Sequence, residues 1–596
     1  MIYDSFFSTG NEYISLDHIN KKDASINNFT LLHMNSKGLL DFRGEKKPLL
    51  EILIKSNDKI IEINNIKWDI INFWIPKGLI ETDEEIIELT ILTPLKQKGF
   101  VYNISIYNKT DKNKEYEISF RGELSSVYHC VNEEKEFDGK YDVKYSEWNK
   151  GPVFSISNGL PILSYAPIID IASSWEYNNE LPIGYNSDSK IIIEPINNKS
   201  ISCFIGVGFE EVSSITSAIH MNRLGFNFLY EEMIEYLNQL LVKTKDNKFN
   251  KVLNKNLIYT LFFSTGLTID TEERVIVTSR SPKYYVSAAY WDRDSLLWAF
   301  PAIVKADKEV AREIIEYIVT VQSKNIGIHS RFIDGTVLEP GFELDELCSF
   351  IIALEIYIDE TKDLTVIQDY NVIKLIQKIL NILETKKSKY LGLYETFLQP
   401  TDDMRVYPYL TYNNVLVYKC FKILDKIKFK EKDYDFNIMS KELYYSIYKH
   451  CVKTVNGVKQ FVWSVDDSAN FDIYDEPPGS LILLPIFDFV SVDDVIYQNT
   501  VNVIKDESYE YSFSNKPFGA IGCPHAPHPW VLSLANNLRV FHDKDSLNKL
   551  LKAKMDNGIA CESIDEVTGE CTTGEAFATC AGYLAYSLIL ETDRLN

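Results

Sequence analysis

The sequence predicts an N-terminal antiparallel β-sandwich followed by a C-terminal all-α domain. Two patterns lead to this prediction. Apolar residues alternate with polar ones over residues 1–210, and they recur at helical spacing from about residue 249 onward. The length of 596 residues also exceeds what one hydrophobic core usually organises, so more than one domain is expected.

The N-terminal part carries the period of two that is typical of strands with one buried face. Tyr102, Ile104 and Ile106 alternate with polar or smaller residues, and the pattern returns at residues 116–120 and 201–205. Turn-forming residues separate such runs at intervals of about 8 to 12 residues, as in sandwich folds. Residues 1–210 are therefore predicted to form a β-sandwich domain, which we expect to support the rest of the chain.

A change of period marks the linker and the second domain. Residues 211–248 show helical spacing and end in a charged stretch, which predicts a helical linker. Residues 249–596 form the predicted catalytic domain, with twelve helices near 249–265, 293–305, 308–323, 343–359, 365–385, 410–427, 434–454, 479–488, 492–505, 528–541, 543–556 and 575–592.

The loops between these helices are alternately short and long, which favours six helical hairpins closed in a ring, an (α/α)6 toroid. Each hairpin then buries one face against its neighbours, and the long loops collect at one end of the ring. An open helical array is the alternative, and the lack of a fixed-period repeat disfavours it.

Charge and composition exclude several classes of partner. The net charge of −23 makes nucleic acid and anionic membranes poor partners, because both require basic patches, although the acidity can also serve solubility alone. The start of the chain lacks the pattern of a secretory signal, and no apolar run is long enough to span a membrane. Nine cysteines without a repeated C-x-x-C spacing favour reduced thiols and a cytoplasmic location.

Two acidic motifs supply candidate catalytic carboxylates. Glycoside hydrolysis needs one protonated carboxyl to donate to the leaving oxygen and one ionised carboxylate to act on water or on the sugar. Asp345 is the candidate acid, because it begins a predicted helix beside Glu343 and Glu346, whose charges raise its pKa. Glu346 is the fallback acid, and an acidic helix start is also common without any function. Glu562, between small apolar residues and a turn, is the candidate base.

Arg293 and Asp294 form a candidate clamp for sugar hydroxyls. The forked donors of arginine and the acceptors of aspartate can bracket adjacent hydroxyl groups, although such a pair can equally be an internal salt bridge. The aromatic residues before the pair place it near a helix end, where both side chains can reach one pocket. Trp291 and Trp530 are candidate platforms for sugar rings, with burial in the core as the alternative.

Polar loops between the later helices can line the rim of the funnel. Asp403, in the loop 400–403, is a candidate sugar-binding residue, as are Glu343 and Glu346. The loops 466–470 and 475–480 are likewise rich in polar and turn-forming residues. Because Asp, Asn, Pro and Gly are also the usual turn residues, each of these loops can instead be plain turn structure.

The proline-rich segment around His525 offers three possible metal ligands, Cys523, His525 and His528. No second ligand cluster accompanies them, and structural metal sites usually need one. We therefore predict neither a metal nor another cofactor, and interpret the segment as a rigid loop that presents His525 to a sugar.

Four collinear motifs resemble those of the six-hairpin glycosidases. They are Trp291–Ser295, Glu343–Cys348, Asp475–Leu481 and Gly519–His525. This group includes glucoamylase-like enzymes, the glucosidase part of glycogen-debranching enzymes and the metal-independent exo-α-mannosidases, and the resemblance covers about residues 250–595. It implies inversion without a metal, with Asp345 as the acid and Glu562 as the base. It further implies that Arg293 and Asp294 bind the terminal sugar.

These observations together predict an exo-acting, inverting α-glycosidase that releases terminal sugars from oligosaccharides or glycans. The motif around Glu562 is similar to that of the glucoamylase and debranching group, whereas the other motifs are similar to those of the mannosidases. The expected activity is therefore either that of an α-mannosidase or that of an α-glucosidase. The alternatives are a glycoside phosphorylase of the same fold and a catalytically silent carbohydrate-binding protein.

Overall fold

The computed structural model describes residues 6–57, 59–404, 407–432 and 434–595. Contacts divide the chain into two compact units. The first consists of Met1–Leu241, Thr265–Val275 and Arg280–Ala288, and the second of Val242–Ser264, Ile276–Ser279 and Ala289–Asn596. The two helices in the region expected to be a linker are grouped with the first unit.

The first unit is rich in strands. They are β1 Phe6–Gly10, β2 Ile14–Asn20, β3 Asn28–His33, β4 Gly38–Arg43, β5 Glu51–Ser56, β6 Lys59–Ile61, β7 Lys67–Ile71, β8 Ile75–Glu81, β9 Glu85–Leu92, β10 Gly99–Asn108, β11 Lys114–Leu124, β12 Ser126–Cys130, β13 Glu134–Glu136, β14 Lys140–Ser146, β15 Gly151–Asn158, β16 Leu160–Ile169, β17 Ser173–Tyr177, β18 Ile183–Ile193 and β19 Asn198–Gly208.

These strands form three antiparallel sheets that share one hydrophobic core. The strand orders are β1-β2-β3-β4-β12-β13, β14-β15-β16-β19-β10-β9-β8-β7 and β17-β18-β11-β5-β6. In the largest sheet β10 pairs with β19, and Tyr102 lies opposite Cys203. The alternating side chains Tyr102, Ile104 and Ile106 all point into the core, which is the period-two burial that the sequence predicts.

The helices are α1 Glu211–Leu224, α2 Phe226–Leu240, α3 Asn247–Phe263, α4 Phe300–Ala306, α5 Lys308–Thr320, α6 Leu344–Thr361, α7 Tyr370–Lys386, α8 Thr411–Lys426, α9 Phe436–Cys451, α10 Val495–Lys505, α11 Val531–Phe541, α12 Lys544–Lys552, α13 Ala578–Ile589 and α14 Thr592–Leu595. A π-helix, Arg293–Ala299, precedes α4, and 3-10 helices cover Gln322–Asn325, Val366–Gln368, Pro477–Gly479 and Leu481–Phe487. Across the described residues, none of the helices combines the length and the apolar character that a bilayer span requires.

Two kinds of helix alternate along the second unit. Helices α6, α8, α11 and α13 are buried along most of their length, whereas α5, α7, α10 and α12 bury one stripe. Each of the latter four begins at an aspartate whose side chain accepts backbone N–H bonds, namely Asp307, Asp369, Asp494 and Asp543. The sequence thus forms a buried set of helices and a partly exposed, capped set.

The buried helices touch one another in series. Within the second unit α6 contacts α8, α8 contacts the 3-10 helix Leu481–Phe487, that helix contacts α11, α11 contacts α13, and α13 and α6 both contact the π-helix. The small residues of α13 permit its close approach: a Cβ on Gly582 would lie 2.7 Å from Ala299 Cα.

Short strands interrupt the helices, at β20 Thr265–Leu267, β21 Arg274–Ile276, β22 Ile328–Arg331, β23 Val337–Phe342, β24 Tyr409–Leu410, β25 Val452–Val455, β26 Val458–Phe461, β27 Ser464–Val465, β28 Phe471–Asp472, β29 Ser563–Ile564 and β30 Cys571–Thr573. The helix expected near 479–488 is a 3-10 helix with Pro485 inside it, because proline cannot donate the backbone bond that an α-helix needs there.

Candidate active site

The site begins where the chain enters the π-helix. The backbone N–H groups of Asp292 and Arg293 donate to the carboxylate of Glu346, the second at 3.1 Å. The carboxylate of Asp292 is held by the guanidinium of Arg331 and by the hydroxyl of Tyr290, which donates at 2.6 Å. These bonds fix the backbone from which the Arg293 side chain projects, and π-turns often mark functional positions.

The guanidinium of Arg293 lies among five carboxyl groups, those of Asp294, Glu343, Asp345, Glu346 and Asp402. Its Nη1 donates to Glu343 at 2.8 Å and to Asp345 at 3.0 Å, and its Nη2 donates to Asp402 at 2.8 Å. Its Nε lies 3.5 Å from a carboxylate oxygen of Asp294. Burial alone would lower the pKa of Arg293, but Asp402, Asp345 and Glu343 raise it well above its ordinary value. The arginine is therefore a fixed positive charge at the centre of the cluster.

One positive charge cannot offset all of these carboxyl groups, and their protonation reflects this. Burial raises the pKa values of Asp345, Glu343 and Glu346, against the opposing effect of Arg293. Burial likewise raises the pKa of Asp294 to about 7. Because a buried carboxyl without a counter-charge takes up a proton more readily, the cluster retains protons to a higher pH than exposed carboxylates do. This is the property that a general acid requires.

Asp345 lies in the first turn of α6, as the sequence predicts. Besides the arginine, Asn413 donates to its Oδ1 at 3.3 Å. The residue is 0% exposed, and so are Glu343 and Glu346. The acidic start of α6 is thus part of a buried network and not a solvated helix end.

Glu343 connects the cluster to a histidine. His329 Nδ1 lies 2.5 Å from Glu343 Oε1, and His329 Nε2 lies 3.2 Å from Glu339. The ring of Trp291 meets His329 edge to face, with centroids 5.6 Å apart. Trp291 is buried, and its indole Nε1 has no hydrogen-bond partner among the described residues.

Glu562 is held between two loops. Its backbone N–H donates to the carbonyl of Gly574 at 3.3 Å, and its own carbonyl accepts from Val531 at 3.2 Å. Gly574 has φ +65°, and a Cβ there would lie 2.5 Å from Glu562 Cβ and 3.2 Å from Oε2. The glycine therefore leaves room for the buried Glu562 side chain. The charge of Glu562 contributes to the raised pKa of Asp294, which joins it electrostatically to the arginine cluster.

His525 connects Glu562 to the loop at 400–403. Its Nδ1 lies 3.4 Å from Asp403 and its Nε2 lies 3.6 Å from Glu562. The hydrogen bond with Asp403 raises the pKa of His525 to about 9, assisted by the charge of Glu562. Trp530 is buried, and its Nε1 donates to the carbonyl of Ala526 at 3.0 Å. Its ring centroid lies 6.3 Å from that of His525.

The sequence-predicted residues thus fall into two connected groups. One surrounds Arg293 and the other surrounds His525 and Glu562, and Asp402 belongs to both because it also raises the pKa of His525. Three members were not predicted: Asp402, His329 and Asn413. Asp402 has a left-handed backbone, φ +67°. This conformation distinguishes it in the structure, but the sequence alone does not reveal it.

The two further polar loops differ, since one is an exposed turn and the other is buried. Asp466 accepts from the backbone N–H groups of Ser468 and Asn470 at an exposed turn. Asp475 and Glu476 are fully buried, and Glu476 accepts from the hydroxyl of Thr401 at 2.7 Å. Burial raises the pKa of Glu476 to about 8.

Among the residues that the structure describes, two groups of side chains have ligand atoms close enough to hold a cation. They are His329, Glu343 and Asp402, and Glu343, Asp345 and Glu346, with ligand atoms within 4.8 Å of one another. In both groups the guanidinium of Arg293 already contacts the carboxylates and supplies the positive charge. The carboxylates of both groups are therefore already paired with the Arg293 side chain.

Comparison with known proteins identifies a family over part of the chain. A family model described as metal-independent alpha-mannosidase (GH125) matches residues 385–589, which is less than half of the sequence. No curated protein matches the sequence.

Solved structures share the fold at low identity. A metal-independent α-mannosidase of Streptococcus pneumoniae, in a non-productive complex with α-1,6-mannobiose, has a TM-score of 0.52 and 18% identity over 62% of this chain and 99% of its own. A bacterial glucoamylase complexed with acarbose has a TM-score of 0.65 and 12% identity over 99% and 94%. A protein from the human microbiome assigned as a kojibiose phosphorylase has a TM-score of 0.60 and 13% identity over 99% and 87%.

These structural likenesses match the observed order of a sheet-rich N-terminal region and a helical C-terminal region. The chain resembles the six-hairpin glycosidase-like enzymes, and the family match over residues 385–589 supports a glycosidase.

Proposed function

We propose that the chain is an exo-acting, inverting α-glycosidase that releases a terminal mannose or glucose from an oligosaccharide or glycan. The observation that carries this proposal is the buried Arg293 among the carboxyl groups of Glu343, Asp345, Asp294 and Asp402. Such a cluster offers a retained proton, a fixed cation and several acceptors within reach of one sugar ring.

Asp345 is proposed as the general acid. Burial raises its pKa, which is the direction that favours a proton kept for the leaving oxygen. Glu346, the fallback acid, accepts two backbone N–H bonds from the start of the π-helix, which favours an anchoring role for it instead.

Glu562 is proposed as the general base. It would remove a proton from the attacking water while Asp345 gives its proton to the glycosidic oxygen, so that the sugar leaves with inverted configuration and the protons balance. The cationic His525 at 3.6 Å favours the ionised form of the Glu562 carboxylate.

The remaining predicted residues are proposed to hold the sugar. Arg293 and Asp294 would bind hydroxyl groups, and Glu343, Asp403 and His525 would supply further acceptors and donors. Trp291 and Trp530, which were also predicted, are buried. They are therefore proposed to pack against the sugar-binding side chains and not to offer an open platform for a sugar ring. Because Asp345 has no exposed surface, neighbouring side chains must shift when the sugar enters.

The architecture proposed for this function is the (α/α)6 toroid. It is supported by the series of contacts from the π-helix through α6, α8, the 3-10 helix Leu481–Phe487, α11 and α13. We also propose the division into a β-sandwich domain, 1–210, a helical linker, 211–248, and a catalytic domain, 249–596. A cytoplasmic location is proposed from the free cysteines.

The test is a panel of aryl α-mannosides, aryl α-glucosides and linked disaccharides, with the anomer of the released sugar followed by NMR. Release of the β-anomer of one sugar, independent of phosphate, is expected. Release that depends on inorganic phosphate would instead make the chain a phosphorylase. No release from any substrate, together with measurable sugar binding, would make it a binding protein.

A further inference from the structure

The N-terminal unit contains a polar cavity that the proposed hydrolysis does not use. Its volume is about 350 Å³, which lies in the range of small-molecule sites, roughly 300–1,000 Å³. Its wall includes His18, Asn28, Arg43, Glu134 and Lys283. The cavity therefore offers both hydrogen-bond donors and acceptors on side chains of different type.

Arg43 is held in one orientation on this wall. Its Nε donates to Asp41 at 2.5 Å, and its two Nη groups donate to Glu134 at 3.1 and 2.7 Å. Its guanidinium carbon lies 4.4 Å from the ring centroid of Tyr128. A guanidinium fixed in this way is pre-organised to hold a ligand with little loss of side-chain freedom.

A hydrogen-bonded network fixes the other polar groups of the wall. Asn28 donates to the buried Asp41 at 2.8 Å and its amide oxygen lies 3.0 Å from His18 Nδ1. Lys283 Nζ lies 3.8 Å from the buried Asp17. Burial lowers the pKa of His18, so that its ring is neutral at physiological pH and can serve as donor and acceptor.

The charges around the cavity decide the class of ligand. The two cations, Arg43 and Lys283, face three carboxyl groups, those of Asp17, Asp41 and Glu134. No excess positive charge is left among these described groups for a phosphate or a sulfate. A neutral ligand with several hydroxyl groups fits the mixed donors and acceptors, because each hydroxyl can donate and accept at once.

We propose that this cavity is a second carbohydrate-binding site, which holds one neutral sugar residue without cleaving it. The choice of a sugar over other neutral polyols rests on the proposed function, whereas the presence of a binding site does not. Retention of part of a long substrate on the N-terminal unit would raise the effective concentration of its cleavable end.

The experiment uses the full chain with Asp345→Asn, to suppress turnover, and titrates methyl α-D-mannopyranoside or methyl α-D-glucopyranoside by calorimetry. Two binding events are expected. Adding Lys283→Met or Glu134→Gln should weaken one of them about tenfold, the loss expected for a hydrogen bond to a charged group. Glu134 is half-exposed, so its amide variant tests the site without removing a buried charge.

Lys135→Met and Glu133→Gln are the matched controls, because these residues form an exposed pair at 3.3 Å beside the same strand and do not line the cavity. They should leave both binding events unchanged. Sugar binding that neither cavity variant weakens, or binding of inorganic phosphate in competition with the sugar, would overturn the proposal. Failure of the hydrolytic function would appear separately, as a lack of aryl glycoside turnover by the unmodified chain.

Discussion

The substitution Asp345→Asn separates proton donation from every other role of this side chain. The amide would keep the shape of the aspartate and one acceptor for Arg293, which now donates to Asp345 at 3.0 Å. The amide is neutral like the protonated carboxyl, which is the form that burial favours at this position. The folded structure should therefore lose about 1 kcal/mol or less, the net value of one hydrogen bond.

The expected kinetic loss is much larger. A positioned general acid contributes roughly 10²–10⁴-fold to the rate, which corresponds to about 2.7–5.4 kcal/mol at 1.36 kcal/mol per tenfold change. This loss should depend on the leaving group. A sugar or methanol needs a proton in order to leave, whereas 2,4-dinitrophenolate leaves without one.

The assay compares kcat/KM for a disaccharide and for the dinitrophenyl α-glycoside of the same sugar. Asp345→Asn should lose about 10²–10⁴-fold on the disaccharide and under about tenfold on the dinitrophenyl substrate. Glu562→Gln should lose by a similar factor on both, because both need an activated water. Asp359→Asn is the control, since this exposed residue of α6 only pairs with Lys426 at 2.8 Å. An equal loss on both substrates for Asp345→Asn would refute the assignment of the acid.

Three further predictions concern the surroundings of these carboxylates. Arg293→Met should destabilise the chain by about 3–5 kcal/mol, because it leaves the buried carboxyl groups of Glu343 and Asp345 without their cation. Urea unfolding checks this, with the half-buried Arg312→Met as control, and an equal loss of stability in the two variants would contradict it. His525 should titrate by NMR with a midpoint near pH 9. Because its folded pKa lies above the unfolded value of 6.5, its contribution to stability should be complete below pH 6.5 and should vanish as the pH rises through 9. Asp403→Asn should lower the midpoint, and an unchanged midpoint would show that His525 and Asp403 do not pair. Gly574→Ala should reduce kcat, because the added Cβ would displace Glu562. Gly457→Ala is the control: this glycine has φ +82° and no atom within 4 Å of an added Cβ, so the variant should lose only the backbone strain of a left-handed alanine, about 1–2 kcal/mol. Equal activity of the two variants would argue against a positioning role for Gly574.

Local pattern was sufficient to find most of the elements that carry the site. The start of α6 lies one residue from the predicted position, because the glycine and proline before it and the apolar spacing after it are local signals. The helix expected at 479–488 was wrong in type, since Pro485 forces the tighter 3-10 turn. The short hairpin of β22 and β23, which carries His329, was missed because its strands are too short for a period of two to be visible.

The partners within the site were harder to predict, because they depend on contacts between distant parts of the chain. Arg293 and Asp402 are separated by 109 residues, and nothing in the composition of a turn-like loop distinguishes Asp402 from Asp403. The sequence pointed to Asp403, which the structure places against His525. Trp291 and Trp530 were interpreted as platforms, yet both rings are buried, since large aromatic side chains gain most from removal from water.

The π-helix at the entrance to this site bears on how relatives should be recognised. A π-turn bonds residue i to i+5, so it accommodates one residue more than the α-helical turn that it replaces. The π-helix Arg293–Ala299 is therefore equivalent to an α-helical segment into which one residue has been inserted. A homologue with one residue fewer before Pro301 could retain every motif residue and still turn its arginine away from Glu343 and Asp345. The spacing between Trp291 and Pro301 is thus as much a part of the functional signature as the residues themselves.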